Sequence, residues 1–150
     1  MKAINTSTFD FPGIIQNDFL YIDKTAYIWN LVRPKKGEYF LSRPRRFGKS
    51  LLVSTLKAFF QGRKKLFQGL AIAHEKVKWQ AYPVIHLDLA NSRMKTAEDV
   101  EKWCLDALDN ASKQLGIPLR GRSYAMQFEN LIRDAADGSR HLFHLLFYFF

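Results

Sequence analysis

The chain has 150 residues, 47% hydrophobic and 25% charged; that is enough apolar material for a real core, and it excludes a disordered chain. The net charge is +9, and Arg33 to Lys65 carries it: 11 Lys/Arg stand against one acid, Glu38, while the other 117 residues hold 12 Lys/Arg and 13 Asp/Glu. Basicity of this kind implies an anionic ligand, either nucleotide phosphate or a nucleic-acid backbone, with a solvated basic face as the alternative, weightier for Arg63-Lys64-Lys65 than for Arg43, Arg45 and Arg46. The single cysteine, Cys104, excludes an intrachain disulfide and a cysteine metal cluster.

Met1 to Ser7 shows no apolar leader run, so a cytoplasmic setting is expected. Met1 to Gln16, with Asp10, Pro12 and Gly13, reads as irregular. Phe19 to Ile22 is a short apolar stretch ending at Asp23, which suits a helix N-cap. The helix expected next, Lys24 to Val32, places Tyr27, Ile28, Leu31 and Val32 on one face, and Pro34 forbids continuation. Lys35-Lys36-Gly37 is a turn, and Glu38 to Leu41 is a strand. A second helix, Lys49 to Gln61, carries Leu52, Leu56, Phe59 and Phe60 at helical spacing and stops at Gly62.

Pro83 suits a strand start, and Val84 to Leu89 is rich in β-formers. Thr96, with Glu98 and Asp99, opens the longest helix. Val100, Trp103, Cys104, Ala107, Leu108, Ala111 and Leu115 form its stripe, and Gly116 and Pro118 end it. Cys104 on that stripe reads as a buried thiol. Ser123 to Ala136 is the last helix, with Gly138 as a stop. Strands alternating with helices indicate an α/β fold with a largely parallel sheet. His141 to Phe150 is a ten-residue apolar run, too short to cross a bilayer. It could be a buried strand, but with no turn or cap at its end it reads as an irregular tail, 139–150, prone to aggregation where exposed.

The chemistry is concentrated in Ser42-Arg43-Pro44-Arg45-Arg46-Phe47-Gly48-Lys49-Ser50-Leu51, set between the strand at 38–41 and the helix from Lys49. Strand, compact loop and helix start is the order that a phosphate-binding loop requires, because backbone N–H groups and the positive helix end then converge on phosphate oxygens. Lys49 supplies a point charge for the β/γ-phosphates and the Ser50 hydroxyl a ligand for Mg²⁺. Gly48 permits close approach of backbone to phosphate. The first glycine of the G-x-x-x-x-G-K-[ST] pattern is replaced by Arg43. The plain alternative is a basic strand-helix turn that binds nothing.

Tyr21-Ile22-Asp23-Lys24-Thr25, then Phe40 to Ser50 with its Arg-Pro-Arg-Arg-Phe-Gly-Lys-Ser string, then Tyr82-Pro83-Val84-Ile85-His86-Leu87-Asp88, resemble the bacterial family called AAA-ATPase-like. The resemblance runs from about Ile14 to Asp137. It implies a predicted P-loop ATPase with a P-loop NTPase-like parallel sheet flanked by helices. It also implies ATP and Mg²⁺ at Arg43 to Leu51, and often a following nuclease-like domain of the PD-(D/E)XK type. An arginine at the first glycine position is usual in that family. The family pattern then places an acidic Walker B strand where this chain has Leu142 to Phe150, with no acid at all.

Phosphoryl transfer needs a carboxylate to orient the metal, so the expectation is an ATP-binding domain that lacks its hydrolytic carboxylate. The chain is accordingly read as the N-terminal part of a larger protein, 1–150, truncated or frame-shifted at about Gly138 and incomplete at its C-terminus. Asp88, at the end of an apolar strand, is the candidate substitute for the missing metal ligand; its alternative is a strand-end cap. His86 reads as a residue packed in the sheet. Two other functions stay open: a basic module that binds nucleic acid through Arg33–Lys65 without nucleotide chemistry, and a non-functional fragment.

Overall fold

The computed structural model describes residues 2–4, 10–33, 42, 44, 46–88, 94–139 and 144–148. They divide into two compact units, Met1–Ala81 and Tyr82–Phe150.

The first unit is built from short helices. α1 spans Phe11–Gln16, in a stretch expected to be irregular. The cause is local: Asp10 Oδ2 accepts the Gly13 N–H at 3.0 Å, and Pro12 sits in the first turn, where its missing N–H costs nothing. α2 spans Thr25–Val32 and α3 spans Lys49–Phe60. Gly62, just past α3, has φ 68°, the left-handed conformation that ends a helix most easily with glycine. Two 3₁₀ turns follow, Lys64–Phe67 and Ala71–His74.

Their core is aromatic. Phe11 and Phe67 are fully buried, with ring centroids 4.9 Å apart. Trp79 lies 5.0 Å from Phe67 and 5.4 Å from Phe59. Each buried ring removes enough apolar area to contribute roughly 2–3 kcal/mol. Tyr27, expected on the inner face of α2, is 71% exposed; Ile28 takes the core position instead.

In the second unit, β1 spans Val84–Asp88 and pairs in parallel with β2, His144–Tyr148, in the register Val84 to His144 through Asp88 to Tyr148. α4 spans Ala97–Leu115 and opens on a complete capping box, in which Thr96 and Asp99 exchange side-chain hydrogen bonds with each other's amides. Gly116 closes it at φ 67°. α5 spans Tyr124–Ser139, so Gly138 does not stop it. Ile85 and Leu87 of β1 bury against Leu108 and Ala111 of α4 and Leu131 of α5, with Trp103 and Phe128 packed at the edge. Arg120 and Asp134 form an ion pair, and Asn130 Nδ2 donates to the Arg120 carbonyl at 2.7 Å, which ties the connecting segment to α5.

The expected P-loop NTPase-like parallel sheet flanked by helices is not seen. The described chain is mostly helical, and its sheet is one two-stranded parallel pair within the second unit. The strand expected at Glu38 to Leu41 lies outside the described residues. In the first unit the apolar residues find their burial in helix and 3₁₀ packing around Phe11, Phe67 and Ile72, so their clustering did not require a strand ladder. Residues 75–83 carry no strand either; this segment turns twice through short Val77-to-Glu75 and Gln80-to-Lys78 backbone bonds.

Candidate functional site

Of the loop residues named from the sequence, Arg43 and Arg45 lie outside the described residues, while Pro44 and Arg46 to Leu51 lie within them. Arg46 has φ 65° and Gly48 has φ 74°. The left-handed conformation costs a residue with a Cβ about 1–2 kcal/mol, so Arg46 carries backbone strain. Gly48 then leads directly into α3, whose right-handed turn begins at Lys49. A left-handed residue followed by right-handed ones is the backbone alternation that gathers successive N–H groups into an anion-accepting concavity.

Among the described residues, a Cβ added to Gly48 would meet no atom within 4 Å. Packing by the protein therefore does not demand a glycine there; the backbone conformation does, and the space before it stays open. The N-cap residue, Gly48, offers no side chain to cap α3, and no acid occupies its first turn. The helix start instead carries Lys49 on top of the positive end of its own dipole. Exposed Arg46 stands three residues before it. Phe47 is 64% exposed.

Asp23, which the sequence suggests as a simple helix cap, ties the start of α2 to the second 3₁₀ turn. Asp23 does not cap α2 from the N-cap position, which Lys24 occupies. Its Oδ1 accepts the Thr25 amide at 2.8 Å and the Thr25 hydroxyl at 2.7 Å, and its Oδ2 accepts the Ala71 amide at 2.7 Å. Thr25 is fully buried, and its Oγ1 in turn accepts the Ile72 amide at 3.0 Å. Burial alone would push the Asp23 carboxyl up, but the hydrogen bonds from Ala71 and Thr25 outweigh it and hold the group below the ordinary aspartate value.

Tyr21 hydrogen-bonds to the Thr55 hydroxyl, with burial raising its phenol. Thr55 Oγ1 donates to the Leu51 carbonyl at 2.7 Å, inside the first turns of α3. Ser54 makes a second tie, accepting the Phe11 amide and donating to Asp10, each at 3.0 Å. Tyr21 through Thr55 and Asp10 through Ser54 thus tie the N-terminal segment to the helix that presents Lys49 and Ser50, while Asp23 and Thr25 hold the Ala71–His74 turn.

Asp88 closes β1 opposite Tyr148 and belongs to the second unit, not to the loop's. His86 is half-buried on β1. Cys104 is half-buried on α4; burial and then the Glu101 carboxylate push its thiol up, which keeps it protonated and unreactive at neutral pH. Among the described residues no group of three or more His, Cys, Asp or Glu could hold a metal, and no helix is long and apolar enough to cross a membrane.

The family model described as "Predicted AAA-ATPase" matches residues 5–147. The chain belongs to the AAA-ATPase-like family. A relative from Azotobacter chroococcum mcd 1, described as the uncharacterized protein in the vnfD 5' region, is 37% identical over 127 residues. That match covers 83% of this chain and 24% of the relative, so the chain spans about a quarter of the relative's length. No solved structure gives a significant match.

Proposed function

We propose that this AAA-ATPase-like chain binds ATP at Arg43 to Leu51, with Lys49 on the β/γ-phosphates and Ser50 on Mg²⁺. One observation carries the reading: Gly48, left-handed at φ 74° with open space before it, leads into a helix start that holds Lys49 and no acid. Like charges gathered at a helix N-terminus are costly alone and favourable around a phosphate. The bound Mg²⁺ would supply charge neutralisation between the β- and γ-phosphates. The chain's own part is to orient the phosphates through the loop amides and to hold Ser50 on a braced helix.

Hydrolysis is the weaker half of the function. Leu142 to Phe150 contains no acid, and phosphoryl transfer requires a carboxylate to fix the metal. We assign the chain nucleotide binding with negligible turnover, and Asp88 is the carboxylate to test if turnover is found. Titration of ATP with and without Mg²⁺ is the deciding experiment. Saturable binding that strengthens with Mg²⁺ and weakens in Lys49→Ala supports the reading; identical binding in the variant removes it.

A further inference from the structure

A second anionic site is suggested by cations that lie apart in the sequence and together in the fold. Arg63, Lys64 and Lys65 are all exposed on the turn after α3, and Lys76 and Lys78 are exposed on the segment that follows the second 3₁₀ turn. Two contacts bring these stretches side by side. The Gly62 backbone is so close to the later segment that a Cβ there would stand 3.0 Å from Ala81 N and 3.2 Å from Gln80 C. Trp79, next to Lys78, packs 5.0 Å from Phe67, which lies two residues past Lys65. Among the described residues none of the five cations makes an ion pair, and Glu75 is the one acid between Arg63 and Lys78.

We propose that Arg63, Lys64, Lys65, Lys76 and Lys78 form one surface that binds the phosphate backbone of duplex nucleic acid without reading sequence. Unpaired cations crowded on one face repel each other, and a polyanion relieves that repulsion while releasing its condensed counterions. Nucleic acid fits better than an anionic membrane. A basic surface that docks on lipid normally adds apolar residues that insert among the headgroups, and among the described residues none of the large exposed hydrophobics lies between Phe47 and Val100. The inference is independent of nucleotide binding at Gly48 to Ser50, because no loop residue takes part.

The test is binding of a short labelled DNA duplex by the full chain, without nucleotide, between about 50 and 200 mM salt. With five phosphates neutralised, affinity falls about 500-fold across that range; with three it falls about 40-fold. Lys64→Gln/Lys65→Gln and Lys76→Gln/Lys78→Gln should each show the shallower dependence and weaker binding at low salt. A control pair in the other unit, Lys102→Gln/Arg122→Gln, removes the same charge and should leave the steep dependence in place. ATP affinity should stay unchanged in all three variants, whose folding is checked by thermal unfolding. The proposal is overturned if the Lys76/Lys78 pair behaves like the control, or if all three pairs weaken binding alike. It is also overturned if anionic phosphatidylserine vesicles retain the chain while the duplex does not.

Discussion

Lys49→Ala removes a charge-assisted contact to phosphate that is typically worth about 1.5–3 kcal/mol. ATP affinity should fall by roughly ten- to a hundredfold while cooperative thermal unfolding persists. Gly48 separates fold from function differently. Alanine there meets no neighbouring atom but must hold φ 74°, at about 1–2 kcal/mol. Asparagine tolerates that conformation better, so Gly48→Asn should recover most of the stability lost in Gly48→Ala. Neither variant should recover ATP affinity, since either side chain fills the space that the phosphate would occupy. Full affinity in Gly48→Asn, measured by titration, would contradict the loop assignment. Arg46 at φ 65° offers the reverse test. Arg46→Gly relieves backbone strain and should melt no lower than the parent, whereas Arg46→Val should melt lower, because a β-branched residue resists that conformation.

Among the elements, the second 3₁₀ turn depends on a latch drawn from the N-terminal third of the chain, Asp23 and Thr25. Thr25→Val leaves the buried Ile72 amide without its acceptor, which costs about 1–3 kcal/mol; urea unfolding at neutral pH measures it. Asp23 adds a pH dependence. Its carboxyl titrates lower in the folded chain than in the unfolded one, so its stabilising contribution is complete above the ordinary aspartate range, about pH 4. That contribution is lost as pH falls through the lower folded value. Asp99, held down by the Lys95 and Thr96 amides at the head of α4, acts in the same acid window. Asp23→Asn and Asp99→Asn should therefore each flatten part of the acid-side loss of stability, seen as a smaller difference in Tm between neutral and acid pH.

For the whole molecule the question is whether binding is coupled to turnover. With no acid in Leu142 to Phe150, the purified chain should retain ATP and release phosphate no faster than Lys49→Ala. Steady-state phosphate release that disappears in Lys49→Ala would show that another carboxylate serves the metal, and Asp88→Asn is the variant that would identify it.

Several features were set by the sequence alone because their causes are local. Thr96 with Asp99 determined the head of α4, Gly116 its end, and the spacing of Leu52, Leu56, Phe59 and Phe60 the helix that follows the loop. The Gly48-Lys49-Ser50 start of that helix was equally legible, since a phosphate-loop pattern is read within a few residues. Tertiary structure decided what depends on long separations. It turned Asp23 from a helix cap into a latch on Ala71, 48 residues away, and it exposed Tyr27 while burying Ile28. It brought Lys76 and Lys78 beside Arg63 to Lys65 by packing Trp79 on Phe67. Among the described residues it also left one two-stranded parallel pair where a helix-flanked sheet was expected, because a run of apolar residues specifies burial but not the partner that provides it; which partner wins is settled by contacts between segments far apart in the chain.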